Sequence, residues 1–241
     1  GASVLYVSGT DCHGTPITLR AKEQGISPKE IALSYHKEFS ECFKSLNFSY
    51  DSYTLTHNSF HKNFVKDTIS KLCANGELYE KSELQDYCKH CQQFLSDREI
   101  EGTCPICGGH AKGDQCDHCL ATFDADELIN KKCKYCGSPV SKKANVHLYW
   151  KLSKYQEQIS EYVQSHQYLW RLSAINESQK YLANEGLIDR AITRELNWGI
   201  DIPVKGFESK KVYVWIDAVL GYISAGKKYC IEHNLNWEDF Y

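Results

Sequence analysis

Four Cys-x-x-Cys pairs lie within fifty residues: Cys88/Cys91, Cys104/Cys107, Cys116/Cys119 and Cys133/Cys136. A two-residue gap lets both sulfurs of a pair reach one ion about 2.3 Å away, and eight thiols make two tetrahedral zinc sites. The competing reading is a set of disulfides, or thiols without metal. Between residues 80 and 142, Cys, Gly, Asp and Lys dominate and large apolar residues are few. Metal must therefore supply the folding energy of this segment. With every ligand a thiolate, neither ion keeps a position for water, so the zinc is expected to be structural.

The pairs can combine sequentially, nested or crossed. Loop lengths allow the first two. The short inner loop, with Gly108-Gly109, Gly113 and Asp114, suits a knuckle closing on itself and favours nesting. His90, His110 and His118 lie nearby. They read as surface histidines, because thiolates already fill both sites.

Around this segment the chain of 241 residues reads as an ordinary globular protein, 42% hydrophobic and 24% charged. Its net charge of −3 provides no general field for nucleic acid, and neither DNA nor a membrane is expected as a partner. Lys131, Lys132, Lys134, Lys142 and Lys143 could touch phosphate locally. Without interleaved aromatics they read better as a solvated face. No apolar run approaches a membrane span. The start Gly1-Ala2-Ser3-Val4-Leu5-Tyr6 lacks a signal peptide's basic and long apolar regions. A reducing cytoplasm suits zinc thiolates, so that location is expected. The lack of any Met raises the expectation that the chain is processed, cut from a longer protein, or written without modified residues.

Val4–Ser8 reads as a buried strand running into Gly9-Thr10-Asp11, with a helix from Thr15 to near Gly25. Ser27-Pro28-Lys29-Glu30 combines an N-cap, a first-turn Pro and a capping box. Ile31, Tyr35, Phe39, Cys42 and Leu46 then form the predicted apolar stripe. A second helix is predicted from Asn58 to Gly76, with Phe60, Phe64, Ile69, Leu72 and Cys73 inward. Residues 148–152 and 211–219 read as strands, and 155–164 and 173–184 as helices. A strand ending in an acidic residue and followed by helices begins an α/β fold.

The segment Gly9-Thr10-Asp11-Cys12-His13-Gly14-Thr15-Pro16-Ile17 resembles the strand-end motif of class I aminoacyl-tRNA synthetases in its methionyl form. Three segments agree: Phe48–Asp51 with Thr56-His57, Thr193–Ile200 with Pro203, and Val214–Tyr222. The resemblance covers essentially the whole chain. It implies a partial Rossmann-type catalytic domain, with a connective-peptide insert carrying zinc knuckles. Residues 1–57 would belong to the first half, 58–210 to the insert (knuckles at about 80–142), and 211–241 to the second half.

It further implies that Asp11 holds a substrate α-ammonium and that Arg194 orients Asp11. Trp215, Ala218, Val219 and Tyr222 would wall a methionine pocket whose rings move on binding, with His13 and Gly14 close by. The implied activity is ATP-dependent ligation of L-methionine to tRNA(Met), with Mg2+ as ATP's companion. The family's His-Ile-Gly-His and Lys-Met-Ser-Lys-Ser motifs are not in this sequence. Those motifs stabilise the adenylation transition state, so an internal fragment inactive on its own is expected. The alternative is a zinc-ribbon module that binds nucleic acid or protein without catalysis. A zinc redox protein fits poorly, because no Cys pair opens a βαβ helix.

Overall fold

The computed structural model describes residues 4–184 and 186–240. It divides into a unit of Gly1–Tyr79 with Leu148–Tyr241, and a unit of Glu80–His147. Both helices and strands build the chain, a mixed α/β architecture.

The first unit opens with β1 (Val7–Thr10), α1 (Thr15–Gln24), α2 (Pro28–Ser45), β2 (Ser52–Leu55) and α3 (Ser59–Ala74). β1 and β2 pair in parallel, Val7 opposite Ser52 and Thr10 opposite Leu55. A parallel pair needs a crossover, which α1 and α2 provide. The strand starts three residues later than the apolar run suggests and is only partly buried. Gly9 permits the close approach: a Cβ there would meet the Thr54 carbonyl oxygen at 2.7 Å.

Capping follows the sequence. Gly25 ends α1 in the left-handed conformation. The Ser27–Glu30 capping box opens α2, and the Asn58 side chain accepts from His61 N–H to open α3. The inward faces differ from expectation. α2 buries Ile31 and Ala32, while Phe39, Cys42 and Leu46 face solvent. α3 buries His61, Val65 and Ile69, a strict i, i+4, i+8 row that includes a histidine.

In the second unit, β3 (Leu78–Cys88) is paired with β4 (Gln93–Phe94) through Tyr87↔Phe94 and Cys88↔Gln93. β5 (Ile100–Thr103), β6 (His110–Lys112), β7 (Gln115–Cys116) and β8 (Ile129–Cys133) form an antiparallel sheet in the order β7-β6-β5-β8. Leu95, Ile100, Ala111 and Leu128 share one buried cluster with Cys88, Cys104, Cys116 and Cys133. Thiols thus stand where a larger domain would place aliphatic side chains.

β9 (Ser141–Trp150) leads back to the first unit, followed by α4 (Gln156–Ser165) and α5 (Leu172–Asn184). Three short strands come next: β10 (Arg190–Ala191), β11 (Thr193–Arg194) and β12 (Lys211–Val212). Their surroundings, with Val65, Ile69, Leu148, Ile192, Ile200, Ile202 and Phe207, make the first unit's core.

The strand predicted over 211–219 is only Lys211–Val212; α6 (Val214–Glu232) takes over. The β-branched and aromatic residues of Val212–Val219 favour a strand locally. Yet Trp215, Ala218, Val219 and Tyr222 stand at i, i+3, i+4 and i+7, the spacing of one helix face. Burial of α6 against α3, β1 and β2 decides in favour of the helix.

Candidate active site and thiol clusters

β1 and α6 bring predicted residues together within the first unit. A cleft runs between the ends of β1 and β2 and the inner side of α6. Asp11, Ala218 and Tyr222 line it, with Gly9, Thr56 and His61. Trp215 and Val219 stand on α6 with 67% and 58% of their surface exposed. The Asp11 carboxylate accepts from His13 N–H at 3.3 Å. Partial loss of hydration is the main reason its pKa is raised, although the residue as a whole is exposed. Gly14, at φ +104°, turns the chain from this loop into α1.

Arg194 donates to the carbonyls of Ala191 and Thr193, both at 2.8 Å, and lays its guanidinium 3.8 Å from the centre of the Tyr213 ring. The guanidinium thereby braces the residue that precedes α6.

A buried polar cluster lies beside the cleft. Asp217 on α6 is fully buried. Its Oδ2 lies 2.6 Å from His13 Nδ1 and its Oδ1 lies 2.7 Å from His61 Nε2. Burial alone would raise this carboxyl; the two imidazoles overcome that and hold it below its ordinary pKa. His57 stacks on Trp198 at 4.5 Å between ring centres, and the Trp198 indole N–H donates to the Cys12 carbonyl at 2.7 Å. Burial, then repulsion from Lys62, lowers the His57 pKa to about 4. Two signals could have found the cluster: a histidine on α3's apolar face and an aspartate within the apolar run 212–219.

In the second unit the eight thiols gather in two tetrads, Cys88/Cys91/Cys133/Cys136 and Cys104/Cys107/Cys116/Cys119, the nested grouping. Cys88 Sγ is 3.5 Å from Cys136 Sγ, and Cys91 Sγ is 3.9 Å from Cys133 Sγ. The inner tetrad repeats this, with 3.9 Å for Cys104–Cys119 and 3.5 Å for Cys107–Cys116. These separations far exceed a disulfide bond of about 2.05 Å. Sulfurs on one tetrahedral zinc stand about 3.8 Å apart, so the donor set fits such an ion. The N–H groups of Cys91, Cys107 and Cys119 approach the first sulfur of their own pairs at 3.3, 3.5 and 3.4 Å. Such donors favour the thiolate a metal needs. Without an ion each tetrad splits: Cys116 and Cys136 are held low, chiefly by the Cys119 N–H and by Ser138, while their neighbours Cys107 and Cys91 are pushed up to about 12.

Three of the five lysines near the last knuckle have protein partners. Lys131 pairs with Asp86 at 3.0 Å and Asp126 at 2.9 Å, and Lys142 pairs with the same two carboxylates. Lys143 lies 4.1 Å from the centre of the Tyr87 ring. These contacts weaken the case for a phosphate-binding run. Among the described residues no helix is long and apolar enough to cross a membrane.

A family model described as tRNA synthetases class I (M) matches residues 1–241. Methionine--tRNA ligase 1 of Alkaliphilus oremlandii is 52% identical over all of this chain and 44% of its own length. A Methionine--tRNA ligase of Bacillus mycoides is 49% identical, with the same coverage. The chain therefore spans less than half the length of these curated relatives. A crystal structure of Mycobacterium tuberculosis methionyl-tRNA synthetase bound by methionyl-adenylate matches with a TM-score of 0.63 and 20% identity. That match covers 93% of this chain and 39% of the other, a likeness of fold. Matched from end to end by the family model, the chain belongs to the class I (M) tRNA synthetases.

Proposed function

We propose that this chain is part of an enzyme that joins L-methionine to tRNA(Met) through methionyl-adenylate, consuming ATP. One observation carries the reading: in a chain of this family, Asp11, Ala218 and Tyr222 face a single cleft. A carboxylate at one side meets an α-ammonium. An apolar wall opposite meets a thioether, which is polarizable and packs well on aromatic rings.

Asp11 is assigned the ammonium, with His13 holding its carboxylate through the backbone N–H. Arg194 is assigned the orientation of Asp11 in the complete site. Trp215 and Val219 are assigned the outer wall, and the exposure of the Trp215 ring leaves it free to close over the side chain. In the first step the methionine carboxylate attacks the α-phosphorus of ATP and pyrophosphate leaves; in the second a tRNA ribose hydroxyl attacks the carbonyl and AMP leaves. Mg2+ accompanies ATP as co-substrate.

The two tetrads are assigned to structural Zn2+, which would supply the folding energy that the small second core lacks. Residues 58–210 are read as the connective insert, and 1–57 and 211–241 as parts of the two halves of the nucleotide-binding domain. The cytoplasm is the proposed location. The test is methionine-dependent ATP–pyrophosphate exchange by the protein at its natural length. Wild type should exchange with methionine, and Asp11→Asn should need far more of it. Exchange indifferent to both methionine and Asp11 overturns the reading.

A further inference from the structure

The hydrogen bonds around Asp217 run in one direction. Lys62 Nζ has only protons to give, and it sits 3.1 Å from His57 Nε2, which must accept. His57 then carries its proton on Nδ1, 3.0 Å from His13 Nε2. His13 is left to donate from Nδ1 to Asp217 Oδ2 at 2.6 Å. The other oxygen takes the His61 Nε2–H at 2.7 Å, and His61 Nδ1 reaches Ser224 Oγ at 2.8 Å. One carboxylate thus holds three elements of the first unit: the loop after β1, α3 and α6.

Two of those elements carry the cleft. His13 is two residues beyond Asp11, and Asp217 is the immediate neighbour of Ala218. We infer that Asp217 is a positioning residue for methionine: its doubly hydrogen-bonded carboxylate sets the spacing between Asp11 and the α6 wall. Ammonium and thioether are then met at the same time. This inference rests on the function proposed above and deepens it.

A charge at position 217 strengthens both ring contacts. An asparagine keeps the volume but loses the charge, and its NH2 could face His61 only if that ring moved its proton to Nδ1, toward Ser224. Turning His13 to accept that donor would point its remaining N–H at His57, and the conflict would end at Lys62. Losing a hydrogen bond to a buried charge is expected to weaken the aligned site roughly thirtyfold.

The experiment is steady-state ATP–pyrophosphate exchange by the natural-length protein, with methionine and ATP varied separately. Asp217→Asn should raise the methionine KM roughly thirtyfold and leave the ATP KM within about threefold. Lys62→Met keeps the buried carboxylate and removes only the donor that orients the chain. It should raise the methionine KM by roughly threefold to tenfold, and Lys62→Arg, again a pure donor, should restore it. If Asp217→Asn does not fold, the Lys62 pair decides the matter alone. Equal rises in both KM values, or no change in either, overturn the inference. A wild type without methionine-dependent exchange overturns the functional reading and this inference with it.

Discussion

The nested tetrads predict an order of metal loading. Eight residues separate Cys107 from Cys116, whereas forty-one separate Cys91 from Cys133. Closing a flexible loop costs about (3/2)RT ln n, so the fivefold longer outer loop costs about 1.4 kcal/mol more, or tenfold in affinity. Both tetrads place thiols in the same buried cluster: Cys104 and Cys116 from the inner one, Cys88 and Cys133 from the outer. The inner site should therefore fill first and prepare the core on which the outer site closes. Cobalt(II) titration, followed by its thiolate charge-transfer absorption, reads this directly. The intact chain should take up two ions in steps roughly tenfold apart. Cys88→Ser with Cys91→Ser should leave one site at the tighter affinity. Cys116→Ser with Cys119→Ser should leave a weaker one. An outer site that fills first, or whose affinity ignores loss of the inner tetrad, would refute the reasoning. Uptake of a single ion would refute the two-site assignment as well.

Three further outcomes are expected. Asp11→Asn should raise the methionine KM by roughly one to two orders of magnitude through loss of a charged hydrogen bond, as read by exchange kinetics. His57 titrates at about 4 in the fold against an ordinary 6.5, so between these values the unfolded chain binds more protons and stability falls as pH drops. Asp217, also held low, adds a loss in the same direction as pH falls through its depressed value. Denaturation midpoints from pH 7 to pH 4 should show the His57 decline, which His57→Asn should flatten, and the Asp217 loss should follow only below about pH 4. Gly9→Ala should destabilise the chain by about 1–3 kcal/mol in urea unfolding, since its Cβ would press on the Thr54 carbonyl.

Local signals were legible in the sequence. The Ser27–Glu30 box, the helix start at Asn58 and the stop near Gly25 act within a few residues, and the structure shows each of them. The short inner loop likewise pointed to nesting, and the tetrads nest. What depended on distant partners was less legible. Residues 214–219 have strand-like composition, and only their packing on α3, β1 and β2 makes them helical. The pairing of His13 with Asp217 joins residues 204 apart in sequence, which no local pattern announces. His61 lies beside the apolar row predicted for α3, and only the fold puts it on the buried one, where a polar group needs a partner. Asp11, Ala218 and Tyr222 were named from motif resemblance, and their common cleft comes from the fold.

We propose that this site serves methionine and its tRNA. The most direct test is aminoacylation of total tRNA by the natural-length protein, with each radiolabelled amino acid supplied in turn. Label should appear on tRNA with methionine alone, confined to tRNA(Met), with a large loss of rate for Asp11→Asn at low methionine. Charging with a different amino acid, or none with methionine, would contradict it.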